Sequence, residues 1–474
     1  MKALFSKSPK YNNHNMINRT HTFSLFAAGI AGIGAQTAIA AGLATHAGSR
    51  RPNILIILVD DLGYGDLSCQ YAKDIQTPNI DKLFAEGLTM TRCYANSNVS
   101  SPSRAGLLTG CYPQMVGVPG VIRTNPKMNW GYLDPQAILL PSMLKQAGYH
   151  TAAIGKWHLG LESPNLPNDR GFDRFEGFLG DAMDNYYTHM RQGQNYMRQD
   201  SITITPKGHA TDLFTDWAIT YCEKQSVDSS PFFLYLAYNA PHSPIQPPKA
   251  WEERVLERER NIAPKRAKLV ALIEHLDYNI GRVIKALERT GQRDNTLIVF
   301  ASDNGGPQGV LATNGPLRGY KGDMYDGGTH VPCCINWRGK IASNRCDRLM
   351  MLSDLFPTFC DLVSVPIRHR IDGISLLPTL RGQEQITDNR YLFWMRREHG
   401  DFGGQSQFAV LYKGIKLLQN RPFQSLEMYD LNTDPAETSA LPLEGDVYKQ
   451  LYKQMTEHYR QSGAIPWQKR STNR

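Results

Sequence analysis

The chain of 474 residues has no Cys-x-x-Cys pair, no long run of one charge and no internal repeat. After residue 40 it also lacks any apolar stretch near the ~20 residues that span a bilayer. Each absence removes a class of function. Without cysteines at metal spacing, a cysteine zinc cluster or a dithiol redox centre is not supported. The net charge of +8, from 52 basic and 44 acidic residues, is spread along the chain. A nucleic-acid footprint would be clustered, so nucleic-acid binding is not indicated. A mildly basic surface suits a polyanionic substrate. No stable membrane insertion is expected of the mature chain.

Cysteine is sparse. The eight are Cys69, Cys93, Cys111, Cys222, Cys333, Cys334, Cys346 and Cys360. An even number in an oxidising compartment allows one or two disulfides. Cys333 and Cys334 lie in a strand-like run and read as buried thiols.

The N-terminal segment differs in character. Lys and Arg are scattered over residues 1–19, and Phe23 to Ala40 is apolar and rich in small residues, ending Ala38-Ile39-Ala40. This reads as a secretory signal over residues 1–40 with an Ala-x-Ala cleavage site. Met16 as the start would give a more usual length, and an uncleaved anchor is the alternative. A periplasmic or secreted protein is expected.

The rest alternates β-rich apolar runs with helical patterns, which predicts an α/β fold with a large, mostly parallel sheet flanked by helices. Asn53 to Val59 is too continuously apolar for a half-exposed strand and reads as a central one. Asp60-Asp61 follow it at once. Three further runs behave alike: Thr151 to Ile154 leads to Lys156 and His158, Phe232 to Tyr238 to His242, and Thr296 to Ala301 to Asp303-Asn304. In open α/β sheets the site lies outside the carboxyl ends of the strands, so these distant residues can converge. The apolar positions from Leu269 to Leu287 recur at helical spacing and predict an amphipathic helix leading into the last of these strands.

Beyond a boundary near residue 385 the pattern changes. Tyr391 to Trp394, Phe408 to Tyr412, Ile415 to Gln419 and Glu427 to Leu431 predict short strands, and Asp446 to Ser462 a helix. The expected organisation is a large α/β domain over 51–385 and a small α+β subdomain over 386–474, an antiparallel sheet plus helix.

Asp60, Asp61, Asp303 and Asn304 are all oxygen donors, the set preferred by Ca2+ or, less well, Mg2+. Helix caps and tight turns are the plain structural alternative for each pair. Residues 100–110 read Ser-Ser-Pro-Ser-Arg-Ala-Gly-Leu-Leu-Thr-Gly. They place the Ser100 hydroxyl four residues before Arg104, with Pro102 suited to the start of a helix. A hydroxyl at a helix N-terminus sits in a field that suits anions. A Ser-Pro cap without chemistry is the alternative.

The undecapeptide resembles the signature of the type I sulfatases of the alkaline phosphatase-like superfamily. Further matches are Pro52 to Asp66, Thr77 to Asp81, Gly155-Lys156-Trp157-His158-Leu159-Gly160, Ala240-Pro241-His242-Ser243-Pro244, Ser302 to Gly306 and Leu317 to Gly322. The resemblance implies hydrolysis of sulfate monoesters, with residue 100 oxidised to formylglycine. It implies that Asp60, Asp61, Asp303 and Asn304 bind the cation with an oxygen of residue 100. Arg104 and Lys156 would hold the formylglycine hydrate, Lys321 the sulfate. His242 would protonate the leaving alcohol and His158 would take a proton when the sulfated enzyme breaks down. The common residue at position 100 is Cys. Ser100 implies a serine-type, oxygen-independent maturing enzyme, although an introduced Cys-to-Ser change would leave the same letter. His330 stands where many relatives carry Arg, which bears on substrate contacts. The implied substrates are sulfated saccharides such as glycosaminoglycan, mucin or algal glycans, and the polar, aromatic segment Gly180 to Tyr187 is a candidate wall of the sugar pocket. The rival readings are a phosphomonoester or phosphonate hydrolase of the same superfamily, or a non-catalytic sulfated-glycan-binding protein.

Overall fold

The computed structural model describes residues 50–398 and 406–469. The signal segment 1–40 lies outside the described residues.

The Asn53–Val59 strand is central, as its composition demands. Ile54, Ile56 and Leu58 enter one core layer and Leu55, Ile57 and Val59 the other. It pairs in parallel with Phe232–Ala237 on one side and Thr296–Ser302 on the other. His150–Lys156 and then Arg174–Phe178 extend the parallel block. Five strands therefore end at one edge, where Asp60-Asp61, Lys156 and Asp303-Asn304 stand. Among the described residues the sheet has ten strands. Its flanks turn antiparallel, with Cys333–Asn336 against Thr296–Ser302 and Met197–Gln199 against Arg174–Phe178.

Helices cover both faces. Pro264–Arg289 opens with a proline at N1, where no intrahelical N–H is lost. It buries Ile273, Leu276, Ile280, Val283 and Leu287 on the face predicted from spacing. Ser100–Thr109, Leu140–Lys145 and Leu355–Leu362 lie on the opposite face of the sheet, in the layer that holds Leu58 and Trp157. Among the described residues, no helix is long and apolar enough to cross a membrane.

All eight cysteines are free, so the disulfides that their number allowed do not form. Cys333 and Cys334 are adjacent on a strand and face opposite core layers. They serve there as small apolar side chains.

Leu392–Arg397, Ser406–Tyr412, Ile415–Gln419 and Glu427–Asp430 form an antiparallel meander covered by the helix Gly445–Gly463. Lys413 (φ 50°) and Gly414 (φ 82°) make a two-residue hairpin turn, where two positive φ values match the strand twist. A Cβ at Gly414 would lie 2.1 Å from the Asn432 amide. Trp394 Nε1 donates to the Ala95 carbonyl at 2.8 Å, and Gln407 Nε2 to the Gly322 carbonyl at 2.8 Å, so this sheet braces the loop that carries Lys321.

Lys416 is fully buried and pairs with Asp326 at 2.7 Å and Glu437 at 3.0 Å. Burial pushes the Glu437 carboxyl up to about 7 although Lys416 opposes it. Lys416→Met leaves two buried carboxylates without their cation. The expected loss is about 3–5 kcal/mol, read from urea unfolding. A loss below about 1 kcal/mol would mean that water screens the pair as at a surface.

Candidate active site

The acids at the strand ends continue the sheet's own ladder. Asp60 N donates to the Ala240 carbonyl at 3.1 Å and Asp303 N to the Val59 carbonyl at 3.0 Å. Asp60, Asp61, Asp303 and Asn304 are thereby fixed side by side, each nearly or wholly buried. Asp61 adopts φ 72°, a region that Asp tolerates better than most residues and that recurs at functional sites. Gly305 follows Asn304 because a Cβ there would meet the Gly327 carbonyl oxygen at 1.9 Å.

Ser100 is the first residue of its helix, and Pro102 the third, still within the turn whose N–H groups lack intrahelical partners. Ser100 Oγ donates to Asp60 Oδ1 at 2.9 Å and lies 3.2 Å from Asn304 Oδ1. Arg104, one turn on, is fully buried. Its Nε and a terminal nitrogen donate to Asp303 Oδ2 at 3.0 and 2.7 Å, and it lies 3.6 Å from Asp60 Oδ1. Lys156 Nζ meets Asp60 Oδ2 at 2.5 Å, and Lys321 Nζ meets Asp61 Oδ1 at 2.6 Å. Three carboxylates thus face three fixed cations around one hydroxyl.

The electrostatics follow. Burial pushes Asp60 upward, but Lys156, His242, Arg104 and Lys321 outweigh it and hold the carboxyl well below its usual range. Burial raises Asp303 to about 7, and the Asp60 charge adds to the push against Arg104. Burial lowers Lys156 despite Asp60, whereas Asp61 and Asp60 overcome burial to raise Lys321.

The two histidines differ. His158 is buried, and burial with the Lys156 and Arg104 charges holds it well below its ordinary value, so it is neutral. Its Nε2 lies 2.8 Å from the Ile122 carbonyl, which can only accept, so Nε2 carries the proton. Among the described residues its buried Nδ1 has no partner and is available as an acceptor. His242 Nδ1 donates to the Ser243 carbonyl at 2.6 Å, which leaves Nε2 facing Asp61 at 3.6 Å. Tyr186 OH donates to the carbonyls of Asn239 and His242 and so holds this loop. Burial lowers His242 as well, with Asp61 opposing.

The donor set fits a hard divalent cation. Asp60 Oδ1 and Asn304 Oδ1 converge on the Ser100 oxygen, and Asn304 Nδ2 points away, to Asp61 Oδ1 at 2.8 Å and the Gly305 carbonyl at 3.0 Å. Oxygen donors predominate, as Ca2+ or Mg2+ requires. A second group, His209, Asp212 and His275, reads as packing. His209 caps the helix Ala210–Ser226 through Nδ1 and reaches the Gln246 carbonyl through Nε2, so both nitrogens are used.

A cavity of about 150 Å³ opens over Ser100, lined also by His158, His242 and Lys321. Its outer wall carries Arg123, Arg191 and Arg396, which sequence reasoning missed. Arg123 and Arg396 both pair with buried Glu398, at 2.6 and 2.9 Å, and Arg191 pairs with Asp181 at 2.8 Å. Asp181 and Ala182, from the segment expected to line the pocket, are part of this wall. His330 is not among the residues lining this cavity. It packs against Tyr64 and Tyr94 and bonds Asp326 and the Thr91 carbonyl, so its role here is structural.

A buried hydroxyl among acids and fixed cations, at the carboxyl edge of a parallel sheet, suits chemistry on an anionic ester. The Sulfatase family profile matches residues 52–365, and the profile "N-sulphoglucosamine sulphohydrolase, C-terminal" matches residues 320–463. An uncharacterized sulfatase of Escherichia coli, YdeN, is 32% identical over 73% of this chain and 69% of its own length. The N-acetylgalactosamine-6-sulfatase of Canis lupus familiaris is 31% identical over 75% of this chain and 71% of its own. Among solved structures, Ps i-CgsB in complex with k-i-k-neocarrahexaose is 29% identical, covers 89% of this chain and 96% of its own, and superposes with a TM-score of 0.81. The chain belongs to the type I sulfatase family and is a sulfuric ester hydrolase.

Proposed function

We propose that this sulfatase removes sulfate from sulfated carbohydrates, with formylglycine made from Ser100 as its nucleophile. The observation that carries the reading is Ser100 itself: a buried hydroxyl, 2.9 Å from Asp60 and flanked by Lys156, Lys321 and His242. The sugar class is supported by relatives named for N-acetylgalactosamine 6-sulfate and for a complex with a carrahexaose.

A plain serine is a weak nucleophile. Oxidation by a serine-type maturing enzyme takes two hydrogens from Ser100, with the electrons passing to that enzyme. Water then adds to the aldehyde and gives two hydroxyls on one carbon. One gives its proton to Asp60 Oδ1, the carboxylate oxygen that accepts from residue 100, and attacks sulfur while the bond from sulfur to the sugar oxygen breaks. His242 Nε2 gives that oxygen its proton. Burial lowers its affinity for protons, and the negative charge of the bound ester would raise it, so that Nε2 carries the proton it gives. The second hydroxyl then yields its proton to His158 Nδ1 and re-forms the aldehyde, expelling sulfate. Lys321 and Lys156 compensate the charge of the ester. A divalent cation, most simply Ca2+, held by Asp60, Asp61, Asp303 and Asn304, would lower the pKa of the attacking hydroxyl and offset the sulfate's charge. We place the protein in the periplasm or outside the cell, where such glycans are met.

Turnover by purified, matured enzyme on defined sulfated saccharides, with matching phosphate monoesters as controls, tests the reading. Phosphate turnover exceeding sulfate turnover would overturn it. His242 gives a second check. His242→Ala is expected to cost roughly 10²–10⁴-fold on a sugar sulfate, the usual range for general acid catalysis, and clearly less on nitrophenyl sulfate, whose phenol leaves unaided. Equal losses on both would assign His242 to sulfate binding.

A further inference from the structure

We propose that the cleft beside the reaction cavity is a second saccharide-binding site, so that this enzyme acts on a sulfated chain rather than a single sulfated sugar. The inference rests on the sulfated-carbohydrate reading above and adds to it the length of the substrate.

Size is the first argument. The cavity over Ser100 holds about 150 Å³. Ligand sites usually measure ~300–1,000 Å³. That space accommodates the sulfate and its bridging oxygen, and the sugar must extend outward. The adjoining cleft has about 560 Å³.

The two spaces share a wall. Arg123 lines both. On either side of that boundary the chain passes from one to the other within a residue. Val121 and His158 face the reaction cavity, and Ile122 and Leu159 face the cleft. A chain that reached from one space into the other would pass Arg123.

The cleft also has the chemistry of a sugar site. Tyr132 and Trp467 supply aromatic wall, suited to the C–H faces of a pyranose. The Trp467 ring is backed by Trp130, with centroids 4.4 Å apart and planes 9° from parallel, so it is fixed before binding. Asn165 is 2% exposed and lines the cleft; its Nδ2 donates to the Leu133 carbonyl at 2.8 Å. Its Oδ1 is buried and, among the described residues, has no hydrogen-bond partner. Glu162 and Lys469, paired at 2.6 Å, offer further polar contacts at the rim.

The test compares Trp467→Ala and Trp467→Phe with the unaltered enzyme. The probes are nitrocatechol sulfate, N-acetylgalactosamine 6-sulfate, and tetrasaccharides of carrageenan and chondroitin sulfate. The unaltered enzyme is expected to favour a tetrasaccharide over the monosaccharide. Trp467→Ala should lower kcat/KM on that tetrasaccharide about tenfold, the loss of one well-packed aromatic contact, chiefly through KM. Turnover of nitrocatechol sulfate should stay within about twofold, and Trp467→Phe should regain part of the loss. Calorimetric binding of the same tetrasaccharide to Ser100→Ala enzyme should weaken in parallel when Trp467 is also replaced. Equal effects on the small ester and the tetrasaccharide, or a natural preference for the monosaccharide, would overturn the second site and leave the reaction standing. Turnover of no probe at all would overturn the sulfated-carbohydrate reading and this inference with it.

Discussion

Ser100→Ala removes turnover of sugar sulfates and nitrophenyl sulfate alike, by at least about 10⁴-fold, the scale on which loss of a covalent nucleophile acts. In the mechanism proposed above both substrates need the oxygen on residue 100, whatever their leaving group. This separates Ser100 from His242, whose loss discriminates between them. The substitution removes one hydroxyl that donates to Asp60, so the fold should survive and the melting temperature should move little. Residual turnover of the aryl ester within about tenfold of the unaltered enzyme would mean that another group attacks sulfur.

Asp60→Asn is expected to abolish activity by a different route. Asp60 Oδ1 accepts from Ser100 and Oδ2 holds Lys156 at 2.5 Å, so one side chain sets both the nucleophile and its neighbouring cation. The amide keeps the shape but lowers the charge of the donor set, which weakens a hard divalent ion. The expected loss in kcat is roughly 10³-fold or more, with the bound ion falling from one per chain toward none by elemental analysis. Asp303→Asn should behave alike. It also removes the charge paired with Arg104 at 2.7 Å, so a measurable loss of stability is expected there. An Asp60→Asn enzyme that retains both its ion and its rate would contradict the metal assignment.

Much of this site was legible because a buried parallel strand advertises itself. Asn53 to Val59 is apolar throughout, and the first polar residues after it, Asp60 and Asp61, must stand at the sheet's edge. The same logic placed Lys156, His242, Asp303 and Asn304 together, and the structure joins them to the Ser100 site, Asn304 directly and the others through Asp60 and Asp61. The flanking strands were not legible. Met197–Gln199 and Ile202–Thr203 are too short to show a period. Arg123, Arg191 and Arg396 escaped for another reason. A guanidinium that pairs with Asp181 or Glu398 across the fold has no local signature, since its partner is fixed only by tertiary structure. The cysteines left disulfides open because composition reports compartment and not distance, while Cys333 and Cys334 are the buried thiols their strand-like run suggested. Cys222, Cys333, Cys334 and Cys360 each fill core space among apolar neighbours.

The central claim is that residue 100 becomes an aldehyde, and peptide mass tests it most directly. Enzyme produced with a serine-type maturing enzyme is digested, and the peptide carrying Ser100 is weighed. Loss of two hydrogens makes it about two mass units lighter than the unmodified sequence, and the modified fraction should rise in proportion to specific activity. Fully active enzyme whose peptide retains the unmodified serine mass would contradict the account.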